Sequence, residues 1–567
     1  MTDLESLELE SETIDALPII NHFIDRLGLD EILKCAMPHA DPSNHIMPYT
    51  SIGILLRNII TGRLPVYGFK EWVTLFAPKL FNLQPEQVEY INDDRIGRAL
   101  EKLFDTDRAS LMTEIVLKAV REFGIEMDQF HNDSTSITFH GGYENANGDK
   151  TRGKSTLNIT HGHNKDHRPD LKQLVFDLTV TSDGAVPVHY KSYDGNRTDD
   201  TTHTGTWDTL RELKGSPDFV YVADITLCVS KTMRHIDSEN GFFITILPRT
   251  RSEDKWFREH VIDNKVPWAE VCRVQDPRKK EGSPNIWQMV ESPICSKEGF
   301  RIAWAWSSKK TERDQKSRQN TINKAISDLK GLQKRLQSNR CRLKTKQAVS
   351  KEAEKIVQAS GANRWIDTDV VETSKTGYKQ EKRGRPGHNT RYVAREHIRY
   401  QVNWEINAAN VKADTCSDGM FPLITNCKEI SLREILEKYK YQPKIEKRHE
   451  QFKTVYEIAP VLLKSITHIE ALLFVFFIAQ LVQSVIEREI RVNMKKAGLK
   501  SIPIYPEKRQ CASPTTDKVL SLFTNIQCHH ITDNGVHVKT FNPKLNDVQI
   551  LILDLLEIPQ SVYTEYS

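Results

Sequence analysis

The run ALLFVFFIAQLV, Ala471 to Val482, is the most apolar stretch of the chain and sets the first constraint on its fold. Glu470, Gln480 and Gln483 break it well short of the roughly 18 apolar residues that a membrane span needs. It reads as a buried helix, and a helix apolar on every side needs a core that encloses it. Burying it contributes several kcal/mol at roughly 25 cal/mol per Å². Directly upstream lies its opposite, YKYQPKIEKRHEQFK, Tyr439 to Lys453, with Glu446 in the middle. A helix this charged is either a solvated face or the carrier of an acid that holds a metal ion.

A chain of 567 residues and 65.2 kDa exceeds one compact core, so two to four domains are expected. Hydrophobic residues at 38% and charged residues at 27% fit a soluble globular protein. The acidic start MTDLESLELESETID does not read as a signal peptide. Nine Cys without paired spacing suit a reducing cytosol. QCHH, with Cys528, His529 and His530, is a zinc ligand group or a surface turn, and no second ligand pair lies at finger spacing. The net charge of +3 conceals an asymmetry: residues 310–400 hold 23 Lys/Arg against 10 Asp/Glu, a local +13 that leaves −10 elsewhere. That segment is either a polyanion-binding surface or a solvated charged helix.

Periodicity divides the chain. LPIINHFIDRLGLDEIL and SIGILLRNIITGRLPVYGFKEWVTLF carry apolar residues at three- and four-residue spacing, which predicts helices over residues 1–125. From residue 126 the period changes. FHNDSTSITFHGGY alternates, LVFDLTVTSDGAVPVHYKSYDG reads as two strands around an Asp183-Gly184 turn, and WDTLRELKGSP reads as a helix between that pair and the strands DFVYVADI and GFFITILP. This is the pattern of a mixed sheet flanked by helices. Residues 255–427 break the rhythm with short strands, a long basic helix and the loop EKRGRPGHNTR. Ile322, Leu329, Leu336 and Leu343 recur every seven residues along the helix, one apolar seam suited to packing against another helix. From Ser431 onward helices dominate, ending in ILILDLLEIP.

Three acids stand where structure does not ask for them. Asp133 interrupts an alternating strand, where Asp is disfavoured. Asp224 follows the apolar run FVYVA, and Glu446 sits on the charged helix. Carboxylates gathered at one point suit Mg²⁺ or Mn²⁺, which favour hard oxygen ligands. Two such ions activate an attacking oxygen and stabilise a leaving one in phosphodiester cleavage. Lys165, His167, Arg168 and Lys172 crowd the stretch NKDHRPDLKQL, either as phosphate contacts or as a loop salt-bridged by Asp166 and Asp170. RGRP, with Arg383 and Arg385, is either the core of a minor-groove hook or a plain basic loop.

Taken together these motifs resemble a family, the bacterial insertion-sequence transposases of the DDE type. Its closest subgroup carries Tyr, Arg, Glu and Lys around the last acid, matched here by Tyr439, Gln442, Glu446 and Lys453. HNDSTSITFHGGY, ITHGHNKDHRPDLKQL, DGNRTDD, YVADI and DGMFPLITN extend the resemblance over about residues 15–495. Gln442 departs from the signature Arg, and Ile225–Cys228, ITLC, departs from the small and aromatic residues usual after the second acid. The resemblance implies an α/β RNase H-like mixed sheet with a large, mostly β plus helical insertion, preceded by an all-α domain. It implies a helical DNA-binding domain at 1–125, a catalytic core at 126–254 and 428–500, an insertion at 255–427 and a helical tail at 501–567. Asp133, Asp224 and Glu446 match the catalytic, metal-holding acids, with two Mg²⁺ ions that Mn²⁺ can replace. Tyr439, Gln442, Lys453, Lys165, Arg168, Lys172, Arg383 and Arg385 are expected on DNA; Lys453 could instead pair with Glu450. Expected partners are double-stranded DNA, as terminal inverted repeats and target, and a second copy in the synaptic complex, with no membrane. The expected location is the bacterial cytoplasm, at the nucleoid. A decayed or domesticated relative that binds DNA without cutting is the alternative.

Overall fold

The computed structural model describes residues 7–37, 45–275, 283–338, 340–455, 463–534 and 536–565. It divides into two compact units, Met1–Thr245 with Glu437–Ser567, and Ile246–Leu436.

In the first unit the strands Pro187–Tyr193, Lys172–Thr181, Gln129–Phe139, Val220–Val222 and Phe242–Ile246 lie side by side in that order. The first three are mutually antiparallel, and the last three are parallel. The middle strand, Gln129–Phe139, is buried along its whole length except at Asp133, which is half-buried. A central strand covered on both faces reads as a near-continuous buried run, so the single opening at an acid marks a site rather than a structural need.

The apolar run belongs to the 31-residue helix Ile466–Lys496. By length and composition this helix could cross a membrane, a longer apolar window than the sequence reading allowed, but that window is wholly buried inside the unit. It packs against the helices Pro48–Ile60 and Asp93–Asp105 and the strand Pro187–Tyr193, which explains why it is apolar on all sides. Its polar interruptions have structural partners. Gln480 Nε2 donates to the Arg448 carbonyl at 2.7 Å, Gln451 donates to Gln483, and Glu487 pairs with Arg448 at 2.7 Å. Gln480, Gln483 and Glu487 are therefore sockets for the charged segment upstream, whereas Glu470 pairs with Arg108 at 2.8 Å.

Two expectations are corrected here. The segment 1–125 is not all-α: Leu7–Thr13 is a strand that pairs antiparallel with Gln527–Asp533. The tail 501–567 is correspondingly not purely helical, since Gln527–Asp533 and Val536–Phe541 complete that three-stranded sheet. The alternation on either side of Asn534 carried this signal. QCHH lies inside this strand rather than in a turn. Cys528 is buried, His529 Nδ1 lies 2.7 Å from Ser11 Oγ, and His530 Nδ1 lies 3.0 Å from Thr540 Oγ1.

The second unit holds the antiparallel strands Met420–Thr425, Arg301–Ser307, Asn285–Glu291 and Ala269–Val274, neighbours in that order. The long helix runs Ser308–Gln337, opened by Ser307 accepting from the Lys310 amide. Ile322, Leu329 and Leu336 form the expected seam, but the helix ends before Leu343, which is partly buried in the turn beyond it. The seam packs on the chain's own helix Lys346–Ser360, through Val349, Ala353 and Val357. Two 15-residue strands, Ile366–Gln380 and Tyr392–Ile406, form a long hairpin whose loop contains Arg383 and Arg385.

Candidate active site

Asp133, Asp224 and Glu446 all belong to the first unit. Gln129, Phe130 and His131 pair in parallel with Val220, Tyr221 and Val222. The pairing ends at His131 and Val222, and Asp133 and Asp224 each follow two residues beyond that last pair. Val220–Val222 ends just before Asp224, so the second acid emerges at a strand end. There it caps the turn Ile225–Leu227: Asp224 Oδ1 accepts from the Thr226 amide at 2.9 Å and from the Thr226 hydroxyl. His203 Nε2 lies 2.8 Å from Thr226 Oγ1, and the Thr245 hydroxyl donates to the Asp224 carbonyl. The unusual ITLC segment thus supplies its own means of orienting the carboxylate.

Glu446 lies on the helix Pro443–Glu450 with its side chain exposed. Gln442, which precedes this helix, is buried; its Nε2 donates to the Asn132 carbonyl at 2.9 Å, and its Oε1 lies 2.8 Å from His131 Nδ1. The expected DNA contact of Gln442 is therefore corrected, because both ends of its amide are used inside the protein. Gln129 Nε2 donates to the Lys438 carbonyl at 3.1 Å, a second tie between the same two segments. His131 and Asp133 share a strand face, and Gln442 and Glu446 share a helix face, so the contact at one pair carries the acids of both toward each other. One turn beyond Glu446, His449 Nε2 stands 3.7 Å from Asp133 Oδ2. His449 escaped the sequence reading, although its i+3 spacing from Glu446 was the available signal. Burial, then the charges of Lys165 and Lys453, push its ring down to about 3.

Tyr439 reports on the whole arrangement. Burial first, then the negative charges of Asp224, Glu446 and Asp133, raise its phenol well above the ordinary range. It remains a neutral hydroxyl throughout the working pH range.

The expected DNA contacts sort differently. Lys165 Nζ lies 3.5 Å from Asp133 Oδ1 and donates to the Ser134 carbonyl at 2.7 Å, which puts its charge at the acids. Lys453 pairs with Asp166 at 2.6 Å rather than with Glu450. Arg168 makes a two-pronged pair with Asp170, at 2.9 and 2.7 Å, and Lys172 donates to the Gly142 carbonyl. The loop is thus salt-bridged as one reading of it anticipated. Arg383 and Arg385 are exposed in the second unit.

Among the described residues, no three His, Cys, Asp or Glu side chains form a ready metal cluster. The chemistry of the donor set nevertheless fits a hard divalent cation: carboxylate oxygens, with the Lys165 ammonium already serving as a cation beside Asp133.

A model described as a domain of unknown function, DUF4277, matches residues 9–117. Comparison with curated proteins finds no match. Among solved structures, the chain is similar to piggyBac transposase in a synaptic complex with hairpin DNA, at 9% identity and a TM-score of 0.36, over 90% of this chain and 78% of that one. It is similar to Mos1 transposase in a paired-end complex with the left transposon end, at 10% identity and a TM-score of 0.14, over 38% of this chain and 62% of that one. A Mos1 mariner paired-end complex with Mn gives 10% and 0.14, over 36% and 60%.

Proposed function

We propose that this chain is a DNA transposase of an insertion sequence, with a catalytic core of the RNase H-like kind. The single observation that supports the reading is that Asp133 and Asp224 each follow two residues after the last parallel pair, His131 with Val222, while Gln442 ties the Glu446 helix to His131 and the Asn132 carbonyl. Asp133, Asp224 and Glu446 would hold two Mg²⁺ ions. Bound there, the ions supply the charge that activates an attacking oxygen and stabilises the leaving one.

The chain's own groups do the rest. Tyr439, kept protonated by its neighbours, donates a hydrogen bond to a phosphate oxygen. Lys165 and Lys453 exchange their carboxylate partners for backbone phosphates. In the first step water attacks the phosphodiester at the element end, the P–O3′ bond breaks, and the 3′-hydroxyl leaves. In the second that hydroxyl attacks a target phosphodiester in line, forming a new P–O bond as the target's own 3′-oxygen departs. Two ends held together require at least two copies of the chain on DNA.

One observation favours a second reading, a decayed relative that binds DNA without cutting. Lys165 and His449 both stand against Asp133, and among the described residues no three-ligand cluster is assembled. The deciding experiment incubates the chain with a duplex carrying the inverted repeats that flank its gene. Mg²⁺-dependent nicking and joined donor–target products are expected, and both vanish in Asp133→Asn. Binding without either product, at any Mg²⁺ or Mn²⁺ concentration, establishes the decayed relative.

A further inference from the structure

The basic charge of the second unit is sorted by the hairpin Ile366–Ile406. Near its base, residues 366–372 and 400–406 hold four Asp/Glu and no Lys/Arg. Beyond it, residues 377–399 hold seven Lys/Arg and two Asp/Glu. The pairing register then divides the two faces. Ile366 faces Ile406, Val370 faces Val402, Ser374 faces Ile398, Tyr378 faces Ala394 and Gln380 faces Tyr392. Alternation puts these even-numbered positions on one face. At the base that face is buried against the two helices, with Ile366, Val370 and Val402 in their shared core.

The odd-numbered face is different. Lys379 lies opposite Val393, Gly377 opposite Arg395 and Thr373 opposite Arg399. The Glu381 amide bonds to the Arg391 carbonyl at 3.0 Å, which carries the ladder on to Arg391. Arg391, Arg395 and Arg399 therefore recur every fourth residue on one face, about 14 Å apart at strand rise, with Lys379 beside them. Lys379, Arg391 and Arg395 are exposed, and among the described residues none makes an ion pair. Clustered on one face, these like charges give it a positive potential that favours a polyanion.

We propose that the odd-numbered face of this ribbon, with the Arg383–Arg385 loop at its tip, is a binding surface for double-stranded DNA. A two-stranded ribbon is one of the elements that the roughly 12 Å major groove admits. The acidic base turns the same anion away, which directs the contact to the distal half. The inference shares with the proposed function only the identity of the polyanion as DNA; it needs no cleavage chemistry.

The test measures equilibrium binding of the full chain to a duplex lacking any element end, across a salt series. Lys379→Ser, Arg391→Ser and Arg395→Ser together should make the slope of log K against log salt shallower by about 2 to 3. Tyr378→Ser with Ile398→Ser, on the other face, should leave the slope unchanged, and both variants should melt as the parent does. An unchanged slope in the triple variant overturns the inference, as does an equal loss in the even-face variant or tighter binding of a duplex RNA of the same length. Nicking of element ends, scored in parallel, separates the two ideas: a shallower slope without nicking sinks the transposase reading alone, and nicking with an unchanged slope sinks the ribbon alone.

Discussion

Asp133 and Asp224 are 91 positions apart, the offset of every paired residue between Gln129–His131 and Val220–Val222. The parallel pairing thus leads both chains toward the same end of the sheet before each reaches its acid, and the register is fixed by packing on both strand faces. Asn at either position keeps the shape and removes the charge. Asp133→Asn is expected to lower nicking at least about a hundredfold, since even groups that only support a metal ligand cost 10- to 100-fold. The melting temperature should stay within a few degrees of the parent. Rates from a gel-based nicking assay with a parallel thermal melt decide the matter.

Thr226 belongs to the segment that departs from the resembling family, yet it donates twice to Asp224. Thr226→Val keeps the amide bond and deletes the hydroxyl. The loss in stability should be about 1 kcal/mol, and the Mg²⁺ concentration for half-maximal nicking should rise, while Thr226→Ser restores both. If Thr226→Val titrates with Mg²⁺ as the parent does, the hydroxyl has no part in holding the carboxylate.

The two parts of this site differed in how far the sequence disclosed them. Asp133 was legible because an acid inside an alternating run contradicts strand propensity, and Asp224 because an apolar run stops at it. The core strands were legible from their β-branched and aromatic residues and the turn signals that bound them, although Gln129–Phe139 and Lys172–Thr181 are buried on both faces. Gln442 was not, because its role depends on His131 and the Asn132 carbonyl, more than 300 positions away. Leu7–Thr13 misled because its partner strand lies at the other end of the chain. The seam helix was drawn too long because heptad spacing continues to Leu343, whereas the chain turns after Gln337 to pack on itself.

Gln442 carries a prediction of its own. Gln442→Leu leaves His131 and the Asn132 carbonyl buried without their partner, a cost of about 1–3 kcal/mol per group. The melting temperature should fall, and nicking should fall with it as the Glu446 helix loosens from the strand. A variant that melts like the parent would show that the two hydrogen bonds contribute nothing net.

His189 sets a pH dependence. Burial, with Lys191 adding to it, pushes its ring down to about 4 from an ordinary value near 6.5. The unfolded chain takes up the proton first as pH falls, so this group's share of stability is intact above about pH 6.5 and is lost on the way down to about pH 4. The slope is about 1.4 kcal/mol per pH unit in that window. Among the described residues His189 Nδ1 has no hydrogen-bond partner, so His189→Leu should remove this share of the loss between pH 6.5 and 4, while buried His131 and His449, also lowered, keep theirs. Melting temperatures at pH 7 and pH 5 for both chains measure it, and parallel declines would rule His189 out as the source.

Arg448 anchors the acid helix. Arg448 pairs with Glu487 on the enclosed helix and donates to the Ala185 and Gly184 carbonyls at 3.0 and 2.9 Å. Both side chains are more than nine-tenths buried. Glu487 also pairs with Arg491, so removing Arg448 leaves the buried carboxylate one cation rather than two, at a cost below the about 3–5 kcal/mol of a fully uncompensated buried charge, whereas replacing both partners of a buried pair by apolar groups of similar volume is often close to neutral. Arg448→Met should therefore lower the melting temperature. Arg448→Met with Glu487→Met should recover part of that loss but not all, because the two turn carbonyls stay unpaired. Nicking should follow the anchor rather than the stability, staying low in the recovered double variant because nothing then ties the Glu446 helix to the turn at Gly184 and Ala185. Full return of nicking in the double variant would mean that packing alone positions the acid.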